Sequence, residues 1–218
     1  MIKGIIFDMD GVLVLGANKF HIEAWNRAFK ENAVKLRMIG VDEYGKLEGM
    51  KGNEIQDLML KYNNVSLPIK LKEQIYKRKK EIFEDIDAPY ATKETKSLLK
   101  DLKTQGFKLA VASGNNRTVI DNFLDKQNLH EIFECTITGD EVEKGKPDPQ
   151  VFLKALEKLS LSKHEVIIVE NAPLGIQAAK SAGIFTIALT STVPANLLKG
   201  ADRIINNLNE IKEILSAI

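Results

Sequence analysis

The chain has little cysteine, proline or aromatic residue: its 218 residues include one cysteine, six prolines and one tryptophan, and aromatic residues make up 6%. The lone cysteine, Cys135, cannot form an internal disulfide, which excludes a disulfide-stabilised scaffold and favours a reducing, cytoplasmic location. No run of about 18 apolar residues occurs, so we expect no transmembrane helix. Asp8 interrupts the short apolar run at the N-terminus, so we expect no signal peptide either.

Neither sign of charge is in excess. The chain has 31 Lys and Arg against 30 Asp and Glu, which gives a formal net charge of +1. This balance provides no overall attraction to nucleic acid or to an anionic membrane, so we expect neither as a partner, whereas a small anionic substrate is compatible with it. The basic run at residues 77–80 lies among glutamates on a predicted helix, and we interpret it as a solvated helix face.

Short apolar runs alternate with amphipathic stretches along most of the chain. The apolar runs predict strands at residues 2–7, 107–112, 133–137, 166–169 and 184–189. The amphipathic stretches predict helices at residues 94–103, 118–126, 150–159 and 174–182. Strands and helices that take turns are typical of a parallel sheet covered by helices on both faces. We therefore predict an α/β fold with a Rossmann-like parallel sheet core.

Residues 15–87 break this alternation, because they contain helical patterns but no convincing strand. Three apolar helix faces are recognisable: Ile22, Trp25, Ala28 and Phe29; Ile55, Leu58, Met59 and Tyr62; and Ile75, Ile82 and Phe83. We predict that residues 15–87 form an all-helical cap inserted after the first strand. The core would then consist of residues 1–14 and 88–218, with the chain returning to it near residues 88–90.

Polar residues directly follow the predicted strands. They are Asp8, Asp10 and Gly11 after the first strand, Ser113, Gly114 and Asn115 after the second, Lys146 beyond the third, and Glu170 and Asn171 after the fourth. The carboxyl ends of parallel strands form one edge, where ligands of such sheets bind. We therefore expect these groups to meet in one site.

The chemistry of this set suits a phosphoryl group and Mg²⁺. An ionised Asp8 is a candidate nucleophile that would accept the phosphoryl group as an aspartyl-phosphate. Asp10 would protonate the leaving oxygen and later take a proton from water, and we expect burial and the charge of Asp8 to raise its pKa for that task. Lys146 and Mg²⁺ would neutralise the phosphoryl oxygens, while Ser113 would orient them.

Four segments resemble the motifs of the haloacid dehalogenase superfamily, especially its β-phosphoglucomutase-like and phosphoglycolate-phosphatase-like branch. They are FDMDGVL at 7–13, VASGN at 111–115, GKPDP at 145–149 and VENAPLGIQAAKSAG at 169–183. The resemblance implies a Rossmann-like core with a helical cap, a nucleophilic and metal-binding Asp8, and an Asp10 that binds metal through its carbonyl. It also implies that Ser113 and Lys146 hold the phosphoryl group, and that Glu170 and Asn171 belong to the metal site. The second aspartate argues against dehalogenation.

Further substrate contacts are expected from Gly11, Gly114 and Asn115, from Arg117 just past the serine motif, and from His21, which resembles the cap-hinge histidine of this branch.

The chain departs from the family pattern in three places. Asn171 replaces the usual acid, which should weaken Mg²⁺ binding unless Glu170 compensates. Leu15 and Gly16 replace the usual Asp-Thr or Asp-Ser. The cap segment 47–52 lacks the Lys and Arg with which a mutase holds a second phosphate, although Lys51 is a partial substitute.

Three hypotheses follow. The first is a Mg²⁺-dependent phosphatase for a small phosphorylated metabolite, the second a β-phosphoglucomutase-like mutase, and the third a weakly active phospho-ligand-binding or regulatory protein. The sequence selects neither the substrate nor the oligomeric state.

Overall fold

The protein is described by a computed structural model that covers residues 1–37, 40–86 and 91–218. Its centre is a six-stranded sheet in the order β3-β2-β1-β4-β5-β6, in which every neighbouring pair is parallel. The strands are β1 Gly4–Phe7, β2 Lys108–Ala112, β3 Cys135–Ile137, β4 Val166–Glu170, β5 Phe185–Leu189 and β6 Arg203–Ile205. The chain order reverses at β1, which is where ligands of such sheets bind.

The sheet register brings the ends of the central strands together. Phe7, the last residue of β1, pairs with Val111 of β2 on one side and with Val169 of β4 on the other. The residues that follow these strands therefore leave the sheet side by side, and Asp8 lies between them.

Two apolar layers cover the sheet because successive side chains of a strand point to opposite faces. In β1, Ile5 and Phe7 belong to one buried cluster and Ile6 to the other. The helices that follow the insert in the chain are α5 Lys93–Thr104, α6 Arg117–Gln127, α7 Gln150–Leu159, α8 Pro173–Ser181 and α9 Ile211–Ala217. Burial on both faces explains why β1 and β4 are continuously apolar or buried rather than alternating.

Four helices between β1 and α5 form what we call the helical insert. They are α1 Ala17–Glu31, α2 Val41–Gly45, α3 Gly52–Tyr62 and α4 Ile69–Asp85. Helices α1 and α4 pack together, with the Trp25 ring centroid 5.6 Å from that of Phe29 and 5.9 Å from that of Tyr76. The predicted point of return near residues 88–90 lies outside the described residues, and the domain boundaries remain a prediction.

Three sequence-based expectations need correction. Tyr62, assigned to an apolar face, is 68% exposed because it is the last residue of α3. Lys79, assigned to a solvated face, is only 6% exposed. The strand β6 was not predicted, since three residues are too few for a periodic pattern, yet its Ile205 is buried beside β5. Within the described ranges, no helix combines the length and apolar character needed to cross a membrane.

Candidate active site

A cleft lies between the carboxyl ends of the central strands and the helical insert. The core contributes Asp8, Asp10 and the segment that begins at Ser113, and the insert contributes His21, Glu48 and Lys79 among others. The groups that were expected to meet at the strand ends therefore do meet, and the insert adds charged side chains to them.

Lys146 is the centre of a buried ion network. Its Nζ donates to Asp8 Oδ1 at 2.6 Å and to Glu170 Oε1 at 2.5 Å, and its side chain is 1% exposed. Burial alone would lower the pKa of Lys146, but the two carboxylates outweigh it and raise that pKa above its ordinary value. Lys146 therefore carries a firm positive charge beside Asp8.

Burial raises the pKa of Asp8 to about 8, against the opposing attraction of Lys146, while the charges of Glu170 and Asp10 raise it further. One lysine does not offset this concentration of carboxylates. A bound cation would favour ionised Asp8, because positive charge lowers the pKa of a neighbouring acid.

Asp10 is held by three residues in a row. Its Oδ2 lies 2.9 Å from His21 Nε2 and accepts a hydrogen bond of 2.6 Å from Asn115 Nδ2, while Lys79 Nζ lies 2.8 Å from His21 Nδ1. An ammonium group only donates, so Nδ1 of His21 accepts and the ring proton resides on Nε2, where it is donated to Asp10. The contacts define a chain from Lys79 through His21 to Asp10.

These contacts reverse the pKa direction that the sequence suggested for Asp10. Burial would raise the pKa of Asp10, but His21, Asn115 and the more distant Lys79 together hold it below the usual value. Burial also lowers the pKa of His21, and it lowers that of Lys79 to about 8.

Lys79 is a functional candidate that our sequence reading missed. Its ammonium lies over the rings of Phe83 and Trp25, with centroids 4.7 Å and 5.6 Å away. A signal was present: Ile75, Lys79, Ile82 and Phe83 share one face of α4, since residues three and four apart are neighbours on a helix. A lysine in the middle of an apolar face is therefore a better guide than the surrounding run of charges.

The serine motif approaches the insert closely. Ser113 is buried, and its Oγ accepts a hydrogen bond from the Asn115 backbone N–H at 3.2 Å. A Cβ on Gly114 would lie 2.9 Å from the carbonyl oxygen of Gly49 and 3.1 Å from that of Met50. Glycine is thus required here because backbone of the insert occupies the space.

Asn171 contacts both the first motif and the insert. Its Nδ2 donates to Glu48 Oε2 at 2.6 Å and to Thr192 Oγ1 at 2.8 Å. Gly11 has φ +80°, and a Cβ there would lie 2.1 Å from Asn171 Nδ2, so the turn after Asp10 packs directly on this amide. Glu48 carries no motif, and the sequence gave us no reason to single it out.

A family model described as haloacid dehalogenase-like hydrolase matches residues 5–189. The chain belongs to this family. The match covers the strands and motifs that form the cleft and confirms the resemblance drawn from the four segments.

Several relatives of this hydrolase are phosphatases. The phosphorylated carbohydrates phosphatase of Thermotoga maritima is 30% identical over 192 residues, which cover 84% of this chain and 82% of the relative. The validoxylamine A 7'-phosphate phosphatase of Streptomyces hygroscopicus subsp. limoneus is 28% identical over 225 residues, 97% of each chain. The crystal structure of CbbY from Rhodobacter sphaeroides in complex with phosphate has a TM-score of 0.85 at 25% identity, covering 97% of this chain and 96% of that one. These likenesses confirm the predicted fold class and phosphatase class.

The oxygens of this haloacid dehalogenase-like hydrolase suit a hard cation such as Mg²⁺. Asp10 Oδ1, Glu48 Oε1 and Asn171 Oδ1 are buried and make no hydrogen bond within the described part of the chain. Across residues 1–37, 40–86 and 91–218, no three His, Cys, Asp or Glu side chains are grouped as a ready ligand set. A cation here would therefore also need the Asn171 amide and backbone oxygen, both of which are ordinary ligands of hard cations.

Glu170 is placed differently from our expectation of a metal ligand. Its Oε1 accepts from Lys146, and its Oε2 accepts from the backbone N–H groups of Asn171 and Ala172 at 2.8 Å and 3.0 Å. Because both oxygens are engaged, the contacts favour a role in holding Lys146 and the start of α8.

The expected substrate contact of Arg117 needs correction. Its guanidinium donates to Thr136 and Glu141 and lies 3.5 Å from Asp121. These partners hold the side chain against β3 and the turn after it, and Arg117 does not line the cleft described above.

Proposed function

We propose that this hydrolase is a Mg²⁺-dependent phosphatase that removes the phosphoryl group of a small phosphorylated metabolite through phospho-Asp8. The observation that carries the proposal is the buried contact of 2.6 Å between Lys146 Nζ and Asp8 Oδ1. It neutralises one oxygen of Asp8, while Oδ2 makes no hydrogen bond within the described part of the chain. Oδ2 is the oxygen that we assign as the nucleophile.

In the first step, Asp8 Oδ2 attacks phosphorus and the bond from phosphorus to the ester oxygen breaks. Asp10 donates its proton to that oxygen, so the product leaves as an alcohol. Lys146 and the Ser113 hydroxyl bind the phosphoryl oxygens and stabilise the charge that develops on them. Mg²⁺, held by Asp8, the Asp10 carbonyl and Asn171, would supply further positive charge to these oxygens.

In the second step, water attacks phosphorus of phospho-Asp8 while ionised Asp10 takes its proton. The bond from phosphorus to Asp8 then breaks, which frees inorganic phosphate and restores the Asp8 carboxylate. The low pKa of Asp10 suits this base step directly. For the acid step, His21 can pass its Nε2 proton to Asp10 as Lys79 supplies one to Nδ1, because both contacts are shorter than 3 Å.

The insert is the part that would select the substrate. Tyr44, Met50, Tyr76 and Lys80 line the cleft from the insert side. Because these side chains cover the site, a bound metabolite would be partly shielded from water, and its non-phosphate part would contact them.

The mutase hypothesis loses the residue on which it relied. Lys51 Nζ donates to the carbonyl oxygens of Val142 and Glu143 at 2.5 Å and 3.0 Å. Its charge therefore stabilises the loop before the GKPDP motif instead of being available for a second phosphate in the cleft.

Phosphate release from an aryl phosphate tests the assignment of Asp8. We expect turnover with Mg²⁺ in the wild type, a loss of about 1,000-fold or more in Asp8→Asn because the nucleophile is removed, and unchanged turnover in Asp57→Asn, an exposed carboxylate of the insert. Trapping of acid-labile phosphate on the protein should likewise require Asp8. Undiminished turnover of Asp8→Asn would refute the proposed intermediate.

A further inference from the structure

Glu48 is a carboxylate in an unusual position. It lies in the segment between α2 and α3 of the insert, yet it is only 5% exposed. Its Oε2 accepts from Asn171 Nδ2, and its Oε1 is buried without a hydrogen bond in the described part of the chain. No ion pair to Glu48 occurs among the described residues. An unpaired buried charge is costly, which points to a positive partner outside the polypeptide.

The orientation of the Asn171 amide supports the same conclusion. A carboxylate can only accept from it when ionised, so the atom of Asn171 that faces Glu48 is Nδ2. Thr192 Oγ1 takes the second proton of Nδ2. The amide oxygen Oδ1 must therefore point away from both, and it too is buried without a hydrogen bond in the described ranges.

Close packing holds Glu48 against the catalytic core. Its neighbour Gly49 has φ +90°, and a Cβ there would lie 2.7 Å from Lys146 Cδ. The carbonyl oxygen of Gly49 is the atom that excludes a side chain at Gly114. Since both contacts are with the core rather than with the insert, the position of Glu48 relative to Asn171 is set by the docking of the insert.

The charges around Glu48 are predominantly negative. Burial raises the pKa of Glu48 well above its usual value, and Asp10 and Asp8 raise it further. Lys146, the nearest buried cation of the core, already lies between Asp8 and Glu170. An additional positive charge at this place would relieve the repulsion among the three carboxylates.

We propose that Glu48 is a ligand of the divalent cation and supplies from the insert the negative charge that Asn171 lacks. The inference rests on the proposed function, because it takes the cation site of that function as its starting point. Glu48 Oε1, Asn171 Oδ1 and the Asp8 carboxylate would then contribute oxygen from both sides of the cleft. Cation binding would consequently hold the insert against the core.

Calorimetric titration of the full chain with Mg²⁺, and with Mn²⁺ as a second probe, tests the proposal without substrate. We expect Glu48→Gln to weaken cation binding by about 10- to 100-fold, since a ligand charge is lost while the side-chain size is kept. Glu73→Gln, an exposed carboxylate of α4, is the matched control and should bind like the wild type. Equal affinities of Glu48→Gln and the wild type would overturn the proposal.

A charge-transfer variant separates the role in cation binding from a structural one. In Glu48→Gln with Asn171→Asp, the carboxylate returns to the core, so we expect most of the lost affinity to be restored. The melting temperature of metal-free Glu48→Gln should equal or exceed that of the wild type, because an unpaired buried charge is removed. A double variant as weak as Glu48→Gln, or a large drop in the metal-free melting temperature, would contradict the proposal.

The titration also distinguishes this inference from the proposed function. If Asp8→Asn abolishes turnover but Glu48→Gln binds cation normally, only the role of Glu48 fails. If the wild-type protein binds neither cation, the Mg²⁺-dependent mechanism and the role of Glu48 both fail.

Discussion

Lys79 illustrates at the scale of one residue how the insert controls the chemistry of the core. Its ammonium is buried over the rings of Trp25 and Phe83 and is connected to Asp10 only through His21. Favourable contact with aromatic faces offsets part of the cost of burying the charge. The remaining cost lowers the pKa of Lys79 to about 8, so this residue is poised to release a proton near neutral pH.

The pKa of Lys79 predicts a pH-dependent stability. Between pH 8 and about 10.5, the ordinary lysine pKa, the unfolded chain keeps the Lys79 proton that the folded chain has lost. The unfolded state then binds more protons, so the free energy of unfolding rises with pH across this window. Relative to Lys79→Met, the wild type should gain up to about 3 kcal/mol in urea unfolding measured from pH 8 to 10.5.

Taking the difference from Lys79→Met removes the contributions of all other titrating groups. Lys77→Met, an exposed lysine of the same helix, should show no such gain. A wild-type curve parallel to that of Lys79→Met would contradict the pKa assigned to Lys79.

At the scale of elements, the segment before α3 and the serine motif after β2 meet backbone to backbone. Gly114 allows this approach because a Cβ would lie 2.9 Å from the Gly49 carbonyl oxygen. The same approach places Glu48 beside Asn171. One contact between an insert segment and a strand end thus determines both the shape of the cleft and its charge.

Gly114→Ala should therefore displace the insert from the core. We expect kcat/KM for an aryl phosphate to fall by about 10- to 100-fold, because small displacements of catalytic groups are costly. Gly40→Ala is the control, since a Cβ there meets only Glu43 Oε2 at 3.6 Å. Circular dichroism should show that both variants fold; normal kcat/KM in Gly114→Ala would indicate that this approach is unimportant for catalysis.

Strands and helices of the core were largely predictable from local pattern. The predicted strands at 107–112 and 166–169 agree with β2 Lys108–Ala112 and β4 Val166–Glu170, and the helix at 150–159 agrees with α7 Gln150–Leu159. These elements are buried on known faces, so their apolar periodicity is strong. The short strand β6 Arg203–Ile205 lacks that periodicity and depends on its pairing with β5.

At the scale of the whole molecule, buried carboxylates surround the place where the insert meets the core. Asp8, Asp10 and Glu48 face a single buried lysine of the core, Lys146. We propose that the core comprises residues 1–14 and 88–218 and the insert residues 15–87, and that a cation between them contributes to the stability of their arrangement.

Mg²⁺ should consequently stabilise the folded protein. Ligand that binds only the native state adds about 2.7 kcal/mol at 100 times its dissociation constant. We expect the melting temperature to rise with Mg²⁺ and to return to its starting value after EDTA, and we expect Asp8→Asn to show a smaller rise. Identical melting curves with Mg²⁺ and with EDTA would argue against a cation site at this interface.

The amino-acid sequence by itself determined the α/β class, most strand and helix positions and the motif residues around Asp8, because each of these depends on spacing within one segment. Only the tertiary structure decided that Glu48 lies 2.6 Å from Asn171, 123 positions away, and that Lys79 lies 2.8 Å from His21, 58 positions away. It also reversed the expected pKa direction of Asp10 and moved Arg117 out of the cleft. The physical reason is that burial and neighbouring charge, which set these properties, arise from packing between segments and leave no periodic pattern in the sequence.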